Sequence, residues 1–297
     1  MRLPQLPNLL KLACLVLASV AAACGGPGER LAQARESALA GHHRAALLEA
    51  RALLFSLPDS RDEKAEAVRR GALKLSGDLC ALHLDDARCA ASEYRQLLKR
   101  FPTSPEAFEA RERLGDLFLR LSDTHGAMEA WRDQVAAAPD RVGADRAQLK
   151  IARALIDEGQ LDEARAAAAE LVSRWPLSTL APSASLIAAG TFHLEGRHAE
   201  AIAAYKKVAA TWPRSAHEAE ALFEQGNCLA ELGDDVHALQ AFTSALVRHE
   251  SPELVQFALE RSQRRIDLQR PARPGNVAEV FDHRVAVGRS SSRAAVR

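Results

Sequence analysis

Prolines recur at a fixed interval through the middle of this 297-residue chain. Members of the series lie 37 residues apart, at Pro102, Pro139, Pro176 and Pro213. An alanine precedes each proline by twelve positions, and a residue suited to a tight turn precedes each alanine by five: Asp85, Ser122, Gly159 and Gly196. A period of about 20–50 residues is typical of stacked supersecondary units rather than of one globular core.

Each unit has the pattern of two antiparallel helices. In the third unit Ser104 suits a helix N-cap and Pro105 the first helical position. Apolar residues then recur at helical spacing until the turn at 122–126, and a second helix ends before Pro139. We therefore expect each unit to bury one face between its own helices and another against the next unit.

The alanine, the proline and an aromatic residue four positions after the alanine resemble the tetratricopeptide repeat. The aromatic positions are Tyr94, Trp131, Tyr205 and Phe242, whereas the fourth unit has Ala168 and the first has Ala50. Gly115 and Gly226 match the small residue at which the two helices of that repeat come closest. The resemblance implies an all-α fold, an α-solenoid of about six helix-turn-helix units over 31–268. The units are expected near 31–60, 64–103, 105–140, 144–178, 182–215 and 216–250, with a closing helix at about 252–268.

The two ends of the chain differ from the repeats. Residues 1–23 contain an apolar run from Leu12 to Ala23, too short for a membrane span but suited to a signal peptide. Small residues before Cys24, then a Gly-rich tether over 24–30, resemble a bacterial lipoprotein signal, with lipid attached to Cys24. Gly25 then implies the periplasmic face of the outer membrane; ordinary secretion into the periplasm is the alternative. Residues 269–297 are rich in Arg, Ser and Pro, and disorder is expected there.

Composition and motifs argue against several functions. The 39 basic and 39 acidic residues cancel, so the chain has no positive excess with which to bind nucleic acid. No nucleophile elbow, phosphate-binding loop or His-Glu-x-x-His motif occurs in the sequence. The carboxylate pairs Asp85–Asp86 and Asp234–Asp235 fall at turns, where aspartate is common for backbone reasons. We therefore expect no catalytic residue, no cofactor and no small-molecule substrate.

Histidine and cysteine were considered as ligands and as a disulfide. Histidines lie at or after the turns of different units, at His42, His43, His125, His198 and His237. Equivalent turns are a unit apart, whereas metal ligands converge within about 2 Å of one ion, so no metal site is predicted. Cys80 and Cys89 could form a disulfide within the second unit. Alternatively both are buried thiols, because Cys228 occupies the position equivalent to Cys80 without a nearby partner.

The resemblance also implies a partner-binding groove. In this family the first helices of successive units line a groove that takes an extended or helical segment of another protein. By family position the groove residues are Glu109, Glu112, Asp116, Arg120, Arg146, Leu149, Arg153, Ile156, Leu186, His193, Glu220, Phe223 and Asn227.

The function expected from these features is a non-enzymatic scaffold of the cell envelope, anchored by lipid. It resembles the outer-membrane lipoproteins of the barrel-assembly type and the cell-division coordinator associated with the Tol-Pal system. One alternative is a soluble periplasmic protein, or a signalling accessory that docks on a membrane-bound regulator. A more distant alternative is an enzyme subunit that delivers substrate.

The lipid anchor is directly testable at Cys24. The mature protein is expected to begin at a diacylated Cys24 and to fractionate with outer membranes. The Cys24→Ser variant should be released or remain unprocessed, as measured by mass spectrometry of the N-terminal peptide. An unmodified N-terminus at Cys24 in the wild-type protein would instead support the soluble form.

Overall fold

A computed structural model describes residues 25–59 and 62–269. Within these ranges it has thirteen α-helices and no β-strand. They are α1 (Pro27–Leu39), α2 (His43–Ser56), α3 (Glu63–Leu82), α4 (Ala87–Arg100), α5 (Pro105–Arg120), α6 (Thr124–Ala137), α7 (Ala144–Asp157), α8 (Leu161–Arg174), α9 (Ala181–Leu194), α10 (His198–Thr211), α11 (Ala216–Glu231), α12 (Asp235–Leu246) and α13 (Pro252–Gln269). The predicted all-α solenoid of helix hairpins with a closing helix is confirmed.

The chain divides into two compact parts, each larger than one repeat: a first unit, Met1–Thr191, and a second unit, Phe192–Arg297. In the first unit each helix from α1 to α7 contacts its successor, and α1 contacts α3 as α3 contacts α5. In the second unit α10 packs on α11, α11 on α12, and α13 on both α11 and α12. Sequential packing with additional contacts between first helices is the arrangement of a repeat array.

Each hairpin turn contains one residue with positive φ at the position that the sequence repeat marks. Four of the turns use glycine there, as at Gly196 (φ 72°), but two use side chains, Asp85 (φ 51°) and Ser122 (φ 60°). Glycine adopts this left-handed region without strain, and aspartate tolerates it better than most residues. The turn aspartates also cap helices: Asp86 accepts a hydrogen bond from the backbone amide of Cys89 at 2.9 Å.

The core of the hairpins depends on glycine facing an aromatic ring. A Cβ atom added at Gly115 of α5 would overlap the indole of Trp131 on α6. The same relation joins Gly77 to Tyr94 and Gly226 to Phe242. All three rings are buried, so the absence of a side chain on one helix makes room for the largest side chain on the other.

The fourth hairpin uses a different pair of residues at these positions. Ala152 of α7 and Ala168 of α8 are both fully buried there. In this hairpin the second helix lacks the aromatic residue, and the first helix has alanine in place of glycine. Close packing constrains the combined volume of the pair rather than either residue alone.

A disulfide joins Cys80 at the end of α3 to Cys89 on α4, with a Cα–Cα distance of 5.8 Å. Of the two possibilities left open above, the structure has the bonded one. Cys228 on α11 is a buried free thiol. Burial, together with the nearby carboxylates of Glu231 and Glu224, raises the pKa of this thiol to about 12.

The closing helix α13 is held to α12 by a charged pair. Arg265 shares its Nε hydrogen between the two carboxylate oxygens of Asp235, at 2.8 and 3.0 Å, and donates another hydrogen bond through Nη2. Asp235 is 3% exposed. The hydrogen bonds and charge of Arg265 hold the pKa of Asp235 below its usual value, against the opposing effect of burial. This turn aspartate therefore has a structural role.

Several predictions about the ends concern residues outside the described ranges. They include the signal peptide over 1–23, lipid attachment at Cys24 and, except for its first residue, Gln269, the disordered tail over 269–297. None of the described helices combines the length and apolar character that a membrane span requires.

We expect Gly115→Ala to lower the free energy of unfolding by about 1–2 kcal/mol, because the overlap with Trp131 outweighs the gain in helix propensity. Urea denaturation would measure the change. The control is Gly28→Ala in α1, where an added Cβ meets no atom within 4 Å. Equal effects of the two substitutions would contradict the proposed close approach.

Asp235→Asn should destabilise the protein by about 1–3 kcal/mol at pH 7, because it leaves Arg265 without its ionised partner. The folded-state pKa of Asp235 is lowered, so its contribution is complete above the unfolded pKa of about 3.9 and is lost as the pH falls through the folded value. The difference in urea midpoint between wild type and variant should therefore narrow below about pH 4. Asp234→Asn is the control, since asparagine also caps helices well. An equal loss of stability in both variants at pH 7 would refute the stabilising role of the Asp235–Arg265 pair.

Candidate partner-binding surface

Ion pairs connect the first helices of neighbouring hairpins in the first unit. Lys150 on α7 lies between two acids of α5, with its Nζ atom 2.6 Å from Asp116 Oδ1 and 3.2 Å from Glu112 Oε1. Arg146 Nη1 is 3.8 Å from the same Glu112 oxygen. Acids of α5 thus lie beside basic residues of α7, with Lys150 at the centre of the row.

The same pattern continues on the other side of α5. Lys74 on α3 contacts Glu109 Oε2 at 3.1 Å and Asp78 Oδ2 at 2.7 Å. Burial alone would lower the pKa of Lys74, but the two carboxylates outweigh it and raise the pKa, so the lysine remains charged. Tyr94 donates its hydroxyl hydrogen to Asp78 Oδ1 at 2.7 Å, which links this row to the core of the second hairpin.

The residues Lys74, Asp78, Glu109, Glu112, Asp116, Arg146 and Lys150 form a surface that we name the charge ladder. Its central members are half-buried and mutually paired, so they join α3, α5 and α7 as well as face solvent. Charged groups of both signs at fixed positions favour a partner whose opposite charges follow in the same order.

The other predicted groove residues of this unit differ in accessibility. Arg153 is exposed and has no ion-pair partner among the described residues, and Arg120 is exposed but donates to the carbonyl of Ala81 at 3.2 Å. Ile156 and Leu186 are half-buried. Leu149 was wrongly placed in the groove: it is 5% exposed, because its side of α7 faces the core.

The predicted groove residues of the second unit are largely engaged with each other. The Phe223 ring packs 4.8 Å from that of His249 and 5.7 Å from that of Phe242, measured between centroids. Glu220 Oε2 is 2.9 Å from His249 Nε2, and Asn227 donates to Glu224 at 3.3 Å. Phe223 is therefore a half-buried extension of the core rather than a projecting anchor.

His193, the remaining groove residue, faces α11. Its Nε2 atom is 3.1 Å from Glu231 Oε2, and its Nδ1 atom is 3.7 Å from Glu224 Oε2. Burial is the main reason that the pKa of Glu224 is raised. His193 thus belongs to a polar cluster between helices instead of to an open groove.

A second surface, which the sequence analysis missed, lies on α2, α3 and α4. It is a groove of about 650 Å³ with an apolar part formed by Leu54, Phe55 and Leu73. Its cationic lining consists of Arg51, Arg69, Lys99 and Arg100. Phe55 is 95% exposed, which is unusual for a phenylalanine and marks the groove as a second candidate contact surface.

The sequence contained a signal for the charge ladder that was not used. Lys150 lies 34 and 38 residues after Asp116 and Glu112, and Lys74 lies 35 before Glu109. Opposite charges separated by nearly one repeat fall beside each other on adjacent first helices. Comparing charges at the repeat period would have found both lysines.

The fold is that of an all-α protein of helix hairpins, in which α3, α5 and α7 share one face. Residues 81–142 and 149–216 match the family model of the tetratricopeptide repeat. The matched segments are similar to tetratricopeptide repeats, in keeping with the helix-hairpin architecture. Proteins of this fold act as scaffolds for protein–protein interaction.

The chain is similar to several solved structures, of which RapI supports the same fold. The apo form of RapI has 14% identity and a TM-score of 0.55, with 87% of this chain and 75% of that chain covered. MamA protein has 20% identity and a TM-score of 0.49, with 62% and 94% covered. Pseudomonas aeruginosa pilF has 12% identity and a TM-score of 0.47, with 80% and 96% covered. At these identities the likeness concerns the fold alone. No curated protein matches the sequence.

Proposed function

We propose that this protein is a non-enzymatic scaffold of the cell envelope, anchored by lipid at Cys24 to the periplasmic face of the outer membrane. The surface formed by α3, α5 and α7 binds an acidic segment of another envelope protein. Partners that assemble the outer membrane or coordinate the envelope with cell division fit this role, as in the lipoproteins that the sequence resembles.

Two features support a location outside the cytoplasm. The apolar run that ends at Cys24 has the form of a lipoprotein signal. The Cys80–Cys89 disulfide suits an oxidising compartment, since cytoplasmic thiols are kept reduced. The second feature is independent of the first, because it lies within the folded repeats.

The observation that carries the binding proposal is the charge ladder. It provides a rigid surface across three hairpins, because its cations and acids hold α3, α5 and α7 in register. Arg146, a member of the ladder, is 57% exposed, and Arg153 lies seven residues further along the same helix. Seven residues are two helical turns, so both arginines lie on one face of α7 and can meet carboxylates of an extended partner.

The groove on α2, α3 and α4 is the competing surface. Its cations and Phe55 also suit an acidic segment with an apolar residue. A soluble protein or an accessory of a membrane-bound regulator could use either surface. Mapping the contact therefore tests the proposed surface separately from the proposed anchor.

The test places a photo-crosslinking residue at position 153 in the full chain expressed in its own envelope. Partners captured there are identified, and their affinity is then measured with purified proteins. Arg153→Glu should weaken binding about tenfold or more at low salt, with a smaller effect at high salt, because it reverses an exposed charge. Thermal melting confirms that the variant is folded.

The matched control is Arg132→Glu on α6, an exposed arginine of a second helix. It should leave the affinity unchanged. Normal binding by Arg153→Glu together with loss in Phe55→Ala would assign the partner to the α2–α4 groove and overturn the proposed surface.

A further inference from the structure

Four potential metal donors lie near one another in the second unit. His193 lies in the last turn of α9, and His198 begins α10. Cys228 and Glu231 lie three residues apart on α11 and share one face of that helix. The donor atoms of the two histidines and the cysteine all lie within 4.8 Å of one another.

Glu231 completes the group. Its Oε2 atom is 3.1 Å from His193 Nε2 and 3.2 Å from His198 Nδ1. In a tetrahedral zinc site with bonds of about 2.0–2.1 Å, neighbouring nitrogen and oxygen donors lie roughly 3.3 Å apart. Glu231 is therefore already at the spacing of a neighbouring ligand from each of the two histidines.

The environment of the donors is also that of a ligand site. The Nδ1 atom of His198 is buried and has no hydrogen-bond partner, although it faces the Glu231 carboxylate. Cys228 is fully buried yet its sulfur lies beside both imidazoles. A buried polar atom without a partner is costly, and a cation at the centre of the group would remove that cost.

We propose that His193, His198, Cys228 and Glu231 form a Zn²⁺ site that ties the α9–α10 turn to α11. Two imidazoles, a thiolate and a carboxylate are a donor set suited to Zn²⁺. On binding, the Cys228 thiol gives up its proton to solvent and the sulfur coordinates as a thiolate. The ion then stabilises the folded second unit. This site is independent of the proposed anchor and partner surface.

The absence of a metal prediction has a specific cause. Histidines at equivalent turns of different repeats are far apart, and their positions gave no reason to expect a shared ion. The cluster instead combines two histidines on either side of one turn with residues of the following helix. Neither His193 nor Cys228 was considered with His198.

The experiment uses the full chain, prepared without a histidine tag and freed of metal with a chelator. Titration with Co²⁺ should give the absorption of a tetrahedral Co²⁺ site and a thiolate-to-metal charge-transfer band, both saturating at one equivalent of the metal. Zn²⁺ should displace the bound Co²⁺. Excess Zn²⁺ should also raise the melting temperature, because the ion binds only the folded state.

Cys228→Ala should abolish the charge-transfer band, and His198→Ala should weaken Co²⁺ binding by at least about tenfold, as the loss of one ligand requires. Alanine is tolerated at the position of Cys228, since Ala154 occupies the equivalent place in α7 and is also buried. Circular dichroism checks that both variants fold.

The control is His237→Ala, which removes an exposed histidine paired with Asp234 at 2.7 Å. It should bind the metal as wild type does. Absence of Co²⁺ and Zn²⁺ binding to the wild-type chain would overturn the proposal. So would a charge-transfer band that persists in Cys228→Ala, which would come from a cysteine elsewhere.

Discussion

The close approach of two helices within a hairpin is the constraint on which the rest of this structure depends. Where the second helix carries Tyr94, Trp131 or Phe242, the first helix has glycine at the point of contact. An aromatic ring then lies almost on the backbone of its partner helix, and its large apolar area is removed from water. The distance between helices fixes where the outer faces lie, and so determines which side chains of neighbouring hairpins can meet.

The charge ladder is a consequence of that regularity. Lys150 reaches Asp116 and Glu112 only because α5 and α7 are equivalent helices of successive hairpins, held side by side. Half-buried pairs of this kind contribute modestly to stability, since desolvation offsets much of the attraction. Their main effect is to fix charges of both signs in a defined order. A surface of that kind can distinguish partners by charge.

The second unit uses the same architecture for different chemistry. The position that holds alanine in α7 holds Cys228 in α11, and the turn before it is flanked by His193 and His198. Packing alone requires only a small residue at the cysteine position. The proximity of Glu231 to both imidazoles adds a set of donors that packing does not require. The closing helix α13 is then joined to the same unit through Arg265 and Asp235.

The sequence by itself determined the repeat period, the helix hairpins and the positions of the turns. These follow from local chemistry: residues such as Gly196 permit positive φ, Ser104 caps a helix, and a proline prevents its continuation. Tertiary structure decided which side chains meet across helices. It paired Cys80 with Cys89, buried Leu149, placed Phe223 against His249 and brought Lys150 to two acids. Those contacts depend on how each helix is rotated about its axis and on the distance between helices. A periodic pattern in the sequence does not fix either quantity closely enough to decide which side chains meet.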